Sequence, residues 1–180
     1  MLGFCVPIIL TLASARAQDN PTYDPGADAK AAVTHAVEVA LKKHKRVLVV
    51  WGHDAHQGDV ELHKALRSGK TEAWPFYYEY ELVAVDSGAD GTKNAELARS
   101  LGITEPARPQ LTILDAAGKP LASRIASDFR DQEAWNSKAL GDFLSEHSVE
   151  PLDAEEVMQR ALQRAKAENK RLFVHLGAPW

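Results

Sequence analysis

The stretch Lys45-Arg46-Val47-Leu48-Val49-Val50-Trp51-Gly52-His53-Asp54-Ala55 decides the fold, because it returns 125 residues later as Lys170-Arg171-Leu172-Phe173-Val174-His175-Leu176-Gly177-Ala178-Pro179-Trp180. Each copy is a basic dipeptide, an apolar run of strand length and a glycine turn. Each also follows an alanine-rich helical pattern, over residues 31–44 in the first copy and 155–169 in the second. Repetition at a fixed long spacing marks duplicated structural units, and this period is long enough for a whole small domain. The expected organisation is one unit over residues 29–148, then a linker and the opening of a second unit over residues 149–180.

Outward from that stretch the pattern stays ordered. Val33, Ala36, Val37, Ala40 and Leu41 fall at helical spacing and form one apolar stripe. The run from Val47 to Trp51 is apolar on both faces, as a strand covered on each side must be. A helix is expected over about residues 56–67, a second buried strand in Glu81-Leu82-Val83-Ala84-Val85-Asp86, and a helix over residues 94–101. Strands over 110–115 and 120–125 flank the turn Ala116-Ala117-Gly118-Lys119, and a helix over about 132–147 closes the unit. Strands joined through a helix can run parallel, whereas a tight turn forces the antiparallel arrangement. The order β-α-β-α-β-β-α therefore predicts an α/β domain with a mixed central sheet and helices on both faces.

Gly177-Ala178-Pro179-Trp180 resembles the approach to the active site in thioredoxin-like domains, where a short apolar strand runs into a turn ending in Trp and then Cys-x-x-Cys. The segment from Asn94 through Leu97, Leu101 and Ile103 looks like that family's helix and following apolar residue. Arg108-Pro109-Gln110-Leu111-Thr112-Ile113-Leu114-Asp115-Ala116-Ala117-Gly118-Lys119 is similar to the segment that begins with the family's cis-proline and ends in its glycine turn. The resemblance spans roughly residues 30–147 and resumes from residue 155. It implies a thioredoxin-like fold, a cis Pro109 bordering a substrate groove, and a Cys pair directly after Trp180. In the first copy Ala55 stands where Trp180 does and His56-Gln57-Gly58-Asp59 follows. His56 and Asp59 thus occupy the two places where the family carries its redox cysteines.

Thiol chemistry at that place depends on a thiolate favoured by unpaired N–H groups at a helix start. Histidine and aspartate cannot exchange disulfides. The expectation is a catalytically silent binding or structural module, with Asp59 hydrogen-bonded to His63 one turn along the helix, and oxidoreductase activity only from a second unit. An alternative places metal here: His56, Asp59 and His63 fall within an arc of roughly 60° on a helix of 3.6-residue period, with His53 as a fourth ligand. Such nitrogen and oxygen donors suit zinc or copper. The spacing matches no metalloenzyme motif, so no metal or other cofactor is assigned. The aromatic cluster over residues 74–80 reads as packing over the sheet, Trp135 as core on the last helix, and His35, His44 and His147 as exposed helix residues.

The first 17 residues look like an export signal, with an apolar run from Val6 to Leu12 and small residues in Ala13-Ser14-Ala15-Arg16-Ala17, although no Lys or Arg precedes the run. The run is too short to span a membrane. The expected location is therefore periplasmic or extracellular. Cys5, the single cysteine, lies inside this segment, so cleavage after Ala17 would leave residues 18–180 without a thiol. Residues 18–28, rich in Asp, Pro and Gly, read as a flexible tether. A formal net charge of −4 with mixed signs offers no basic face for nucleic acid. There is no Ser-His-Asp order, Walker pattern or phosphate-cradling glycine loop; charge points to no partner class, and a protein or peptide partner stays open.

Overall fold

The computed structural model describes residues 21–68, 78–104, 108–131 and 134–175. Helix α1 (Ala29–Lys43) opens at Asp28, whose Oδ1 accepts the N–H of Ala31 at 3.0 Å. It closes at His44, which takes the left-handed conformation (φ 55°), so that the N–H of Lys45 reaches the Ala40 carbonyl at 2.9 Å. That pair of caps satisfies donors and acceptors that the helix ends leave open. Ala29, Val33, Ala36 and Ala40 form its buried stripe.

Strand β1 (Arg46–Gly52) follows, then α2 (Gln57–Arg67), β2 (Tyr80–Asp86), α3 (Ala95–Ser100), β3 (Gln110–Leu114) and β4 (Pro120–Ile125). The sheet order is β2-β1-β3-β4, with β1 parallel to β2 and antiparallel to β3, and β3 antiparallel to β4. This is the expected mixed sheet. Successive residues of β1 alternate between its faces, as a strand requires. Val47, Val49 and Trp51 pack with the α1 stripe, Val83, Val85 and Leu101, while Leu48 and Val50 pack with Leu62, Leu66, Leu140 and Leu144 on the other side. Helices α2 and α4 (Ser137–Glu146) cover that second face.

A short 3-10 turn (Ala126–Phe129) and a two-residue hairpin, β5 (Arg130–Asp131) with β6 (Ala134–Trp135), precede α4. Trp135 therefore belongs to a hairpin and not to α4, which starts two residues later at Ser137, after the Asn136 cap. Its half-buried ring lies under the Arg130 guanidinium, 4.9 Å from the ring centroid. His35 and His44 are exposed, but His147 is half-buried, with Nδ1 at 2.9 Å from the Phe143 carbonyl. Tyr80 is buried and donates its hydroxyl to the Leu144 carbonyl at 2.6 Å, while the aromatic residues 74–77 lie outside the described residues.

Two further expectations fail. The segment over residues 18–28 is not a free tether where it is described. Tyr23 is 1% exposed, its hydroxyl donates to the Asp59 carbonyl at 3.0 Å, and its N–H donates to Asp54 Oδ1 at 3.3 Å. One buried aromatic outweighs the polar composition around it, because a ring of that size removes a large apolar area from water. Residues 171–175 are not a strand either. They follow α5 (Ala154–Ala167) as exposed, irregular chain, for want of a neighbouring strand to pair with. Residues 1–17, read above as an export signal, lie outside the described residues, and no described helix is long and apolar enough to cross a membrane.

Candidate functional site

The C-terminal ends of β1 and β2 lie side by side, with Gly52 in register with Asp86, and ligand sites in open α/β sheets gather at such strand ends. Glycine is required at position 52 by close approach: a Cβ there would stand 2.5 Å from Tyr23 Cζ and 2.9 Å from Asp59 Cβ. The chain then turns through His53 and Asp54, and α2 begins after its N-cap residue, His56.

Asp59 lies in the first turn of α2 and is 2% exposed. Side chains on a helix lean toward its N-terminus, so the carboxylate faces the preceding turn. There Oδ2 accepts the backbone N–H of His53 at 2.8 Å. Burial pushes the Asp59 carboxyl above the ordinary carboxylate range, and the His53 N–H with the nearby His56, Arg108 and His53 side chains pull it back only in part. The expected partner, His63, is not the one found. Its ring packs edge-on against Tyr23, centroids 6.1 Å apart, where burial and then Arg67 lower its pKa against the opposing pull of Asp54.

His56 has a different partner. Its Nε2 lies 3.0 Å from Nη1 of Arg108, the residue joined to Pro109 by a cis peptide bond. A guanidinium can only donate, so in this contact His56 Nε2 is the acceptor. Arg108 Nη1 also donates to the carbonyls of Gly88 at 2.6 Å and Ala89 at 2.7 Å. His56 and Arg108 thus meet, and the charges of both act on buried Asp59. His56, Asp59 and His63 do not converge on one point: His56 Nε2 faces Arg108, Asp59 Oδ2 accepts from the His53 backbone, and His63 packs against Tyr23. Among the described residues no three His, Cys, Asp or Glu side chains are grouped as metal ligands.

Sequence reasoning missed one polar cluster of the site. His53 Nδ1 lies 2.7 Å from Asp86 Oδ1, and Lys93 Nζ lies 2.7 Å from Asp86 Oδ2. Burial acts to raise the Asp86 carboxyl, but the Lys93, His53 and Gly88 hydrogen bonds outweigh it and hold the group below the ordinary carboxylate range. Lys93 also donates to the Pro25 carbonyl at 2.5 Å, tying the N-terminal segment to the same cluster. The signal was present, because parallel pairing of two apolar runs ending in Gly52 and Asp86 puts residue 53 beside residue 86. Arg108 was legible only as the residue before Pro109.

Among solved structures the chain is similar to a disulphide isomerase from Xylella fastidiosa Temecula1, with a TM-score of 0.60 and 24% identity over 71% of this chain and 96% of that one. It also matches a DsbH oxidoreductase, with a TM-score of 0.46 and 19% identity over 70% of this chain and 83% of that one. The C-terminal domain of Neisseria meningitidis DsbD in its reduced form matches with a TM-score of 0.47 and 15% identity, over 65% of this chain and 95% of that one. No family model and no curated protein matches the chain. Together with the sheet order and helix placement, the first likeness establishes a thioredoxin-like fold.

Proposed function

We propose that residues 29–148 form a redox-silent module that binds an extended protein or peptide segment beside His56 and the Arg108-Pro109 loop. The observation that carries this reading is the filling of the redox-pair place by two groups already engaged with the protein. His56 Nε2 accepts from Arg108, and Asp59, buried, accepts from the His53 backbone. Neither group is a nucleophile toward sulfur, since exchange needs a thiolate. The Arg108 contact with His56 supports the reading, because the resemblance makes the adjoining Pro109 the proline that borders a substrate groove.

Export by residues 1–17 belongs to the same reading, as does thiol–disulfide chemistry in a second unit, which the Gly177-Ala178-Pro179-Trp180 segment supports. The binding half is tested by nuclear magnetic resonance titration of the chain from Gln18 with a thiol-blocked, unfolded probe, the carboxamidomethylated insulin B chain. Amide shifts are expected at residues 53–59, 88–89 and 108–110, and Arg108→Ala should weaken them. Shifts confined to other surfaces, or none at millimolar probe, would remove the peptide-binding role.

A further inference from the structure

Helix α5 stands at the place of α1 at the offset of 125, and its caps correspond. Asp153 stands for Asp28, and its Oδ1 accepts the N–H groups of Glu155 and Glu156 at 2.8 and 3.1 Å. Asn169 stands for His44 and takes the same left-handed conformation, φ 50° against 55°. Lys170 stands for Lys45, and its N–H reaches the Ala165 carbonyl at 2.8 Å, as Lys45 reaches Ala40 at 2.9 Å. The two segments enter and leave their helices by the same kinds of hydrogen bond.

Their apolar faces correspond as well. Met158, Ala161 and Ala165 fall at the places of Val33, Ala36 and Ala40, the stripe by which α1 lies on the sheet. Val157 and Leu162 match Ala32 and Val37, which pack at the edge of that stripe. Leu172 and Val174 match Val47 and Val49, the β1 residues beneath it. In the first copy these positions are buried or half-buried, while in the second Met158, Leu162, Leu172 and Val174 are all exposed and α5 buries no residue. Charged residues occupy much of the rest of α5, so the apolar stripe is confined to one side.

We infer that residues 153–175 are the first helix and first strand of a second thioredoxin-like unit, and that their exposed stripe is the docking face for that unit's β-sheet, encoded after Trp180. The occupant is specified by the first copy: an apolar sheet face like that of Val83, Val85 and Leu114, with one strand pairing parallel to residues 172–175 as β2 pairs with β1. Burial of this face and pairing of this strand form together, because an isolated strand leaves its backbone groups without partners. Docking of this kind is independent of whether the first unit is redox-silent.

The test compares the 180-residue chain with the product of the same reading frame continued beyond Trp180, by hydrogen exchange. In the 180-residue chain the amides of residues 172–175 should exchange at nearly the rate of an unfolded chain, and in the continued chain at least about 100-fold more slowly, as paired strand amides do. An independent readout is alkylation of single cysteines in a Cys5→Ser background. Met158→Cys should react freely in the short chain and become protected in the long one, whereas Arg160→Cys, at the place of exposed His35, should react equally in both. Equal exchange of residues 172–175 in both chains, with equal labelling at Met158→Cys, would overturn the inference, as would a frame that stops at Trp180.

Discussion

Residues 28–49 and 153–174 carry one local pattern twice, and the two copies share their helices but not their strands. Both helices start at an Asp cap and end at a left-handed residue with a matching hydrogen bond, so this much is written in the local sequence. In the first copy the following apolar run is a central strand of a four-stranded sheet, and in the second it is irregular and exposed. The difference teaches where each kind of structure gets its stability. A helix closes its hydrogen bonds within itself, while a strand needs a neighbour, and the neighbour is supplied from elsewhere in the chain.

The largest effect expected from that contrast is in the core. Leu48 is buried and its counterpart Phe173 is 88% exposed. Leu48→Ala should lower unfolding stability by about 2–5 kcal/mol in urea melts, while Phe173→Ala should change it by less than about 0.5 kcal/mol. Comparable losses from both would mean that the second copy packs on the first. The next effect lies at the turn after β1. Gly52→Ala drives a Cβ into Tyr23 and Asp59, and should cost about 1–3 kcal/mol and loosen the N-terminal segment, read as faster proteolysis before residue 28.

A smaller effect appears as opposite pH dependences of two buried carboxylates. The Asp59 pKa is raised in the folded state, so its contribution favours the fold below the unfolded value near about 3.9 and is lost as pH rises through the folded value. Asp59→Asn should flatten that loss on the neutral side. Asp86 is lowered, so its contribution is present above the unfolded value and lost as pH falls through the folded one. Asp86→Asn should reduce stability at neutral pH and flatten the acid limb. Urea melts between pH 3 and 7 separate the two, and parallel curves for both variants would contradict the site geometry.

The smallest effect concerns the second copy itself. Because α5 buries none of its residues and residues 171–175 are exposed, deleting residues 150–180 should move the melting temperature by less than about 2 °C and improve solubility. The deletion removes the hydrogen bond that exposed His44 donates from Nε2 to the Glu150 carbonyl at 2.9 Å, and a solvated bond of this kind is readily replaced by water. A fall of several degrees would show that the fragment supports the first unit.

Most of the fold was legible because its signals are local or nearly so. The apolar runs of β1, β2 and β3, the glycine turn at Gly118 and the helical stripe of α1 each announce an element without reference to distant residues. What stayed hidden depends on tertiary neighbours. Tyr23 sits in a segment whose composition reads as linker, and only the space beside Gly52 makes it a core residue. Asp59 was legible as a buried carboxylate in need of a donor, but its donor is the backbone of the preceding turn and not a side chain at helical spacing. The His53 and Asp86 pair joins residues 33 apart in sequence, and strand register alone brings them together. Trp135 reads as helical because the alanine beside it suits a helix, whereas pairing with Arg130 makes it part of a hairpin.

The most direct test of a silent first unit is disulfide turnover by the chain from Gln18 to Trp180, which contains no cysteine once Cys5 is gone. In an insulin reduction assay with dithiothreitol, that protein should give the rate of dithiothreitol alone, and iodoacetamide should add no mass to it. Catalysed reduction by this cysteine-free protein, reproduced after removal of any contaminating thioredoxin, would contradict the assignment of His56 and Asp59 to a place from which redox chemistry has gone.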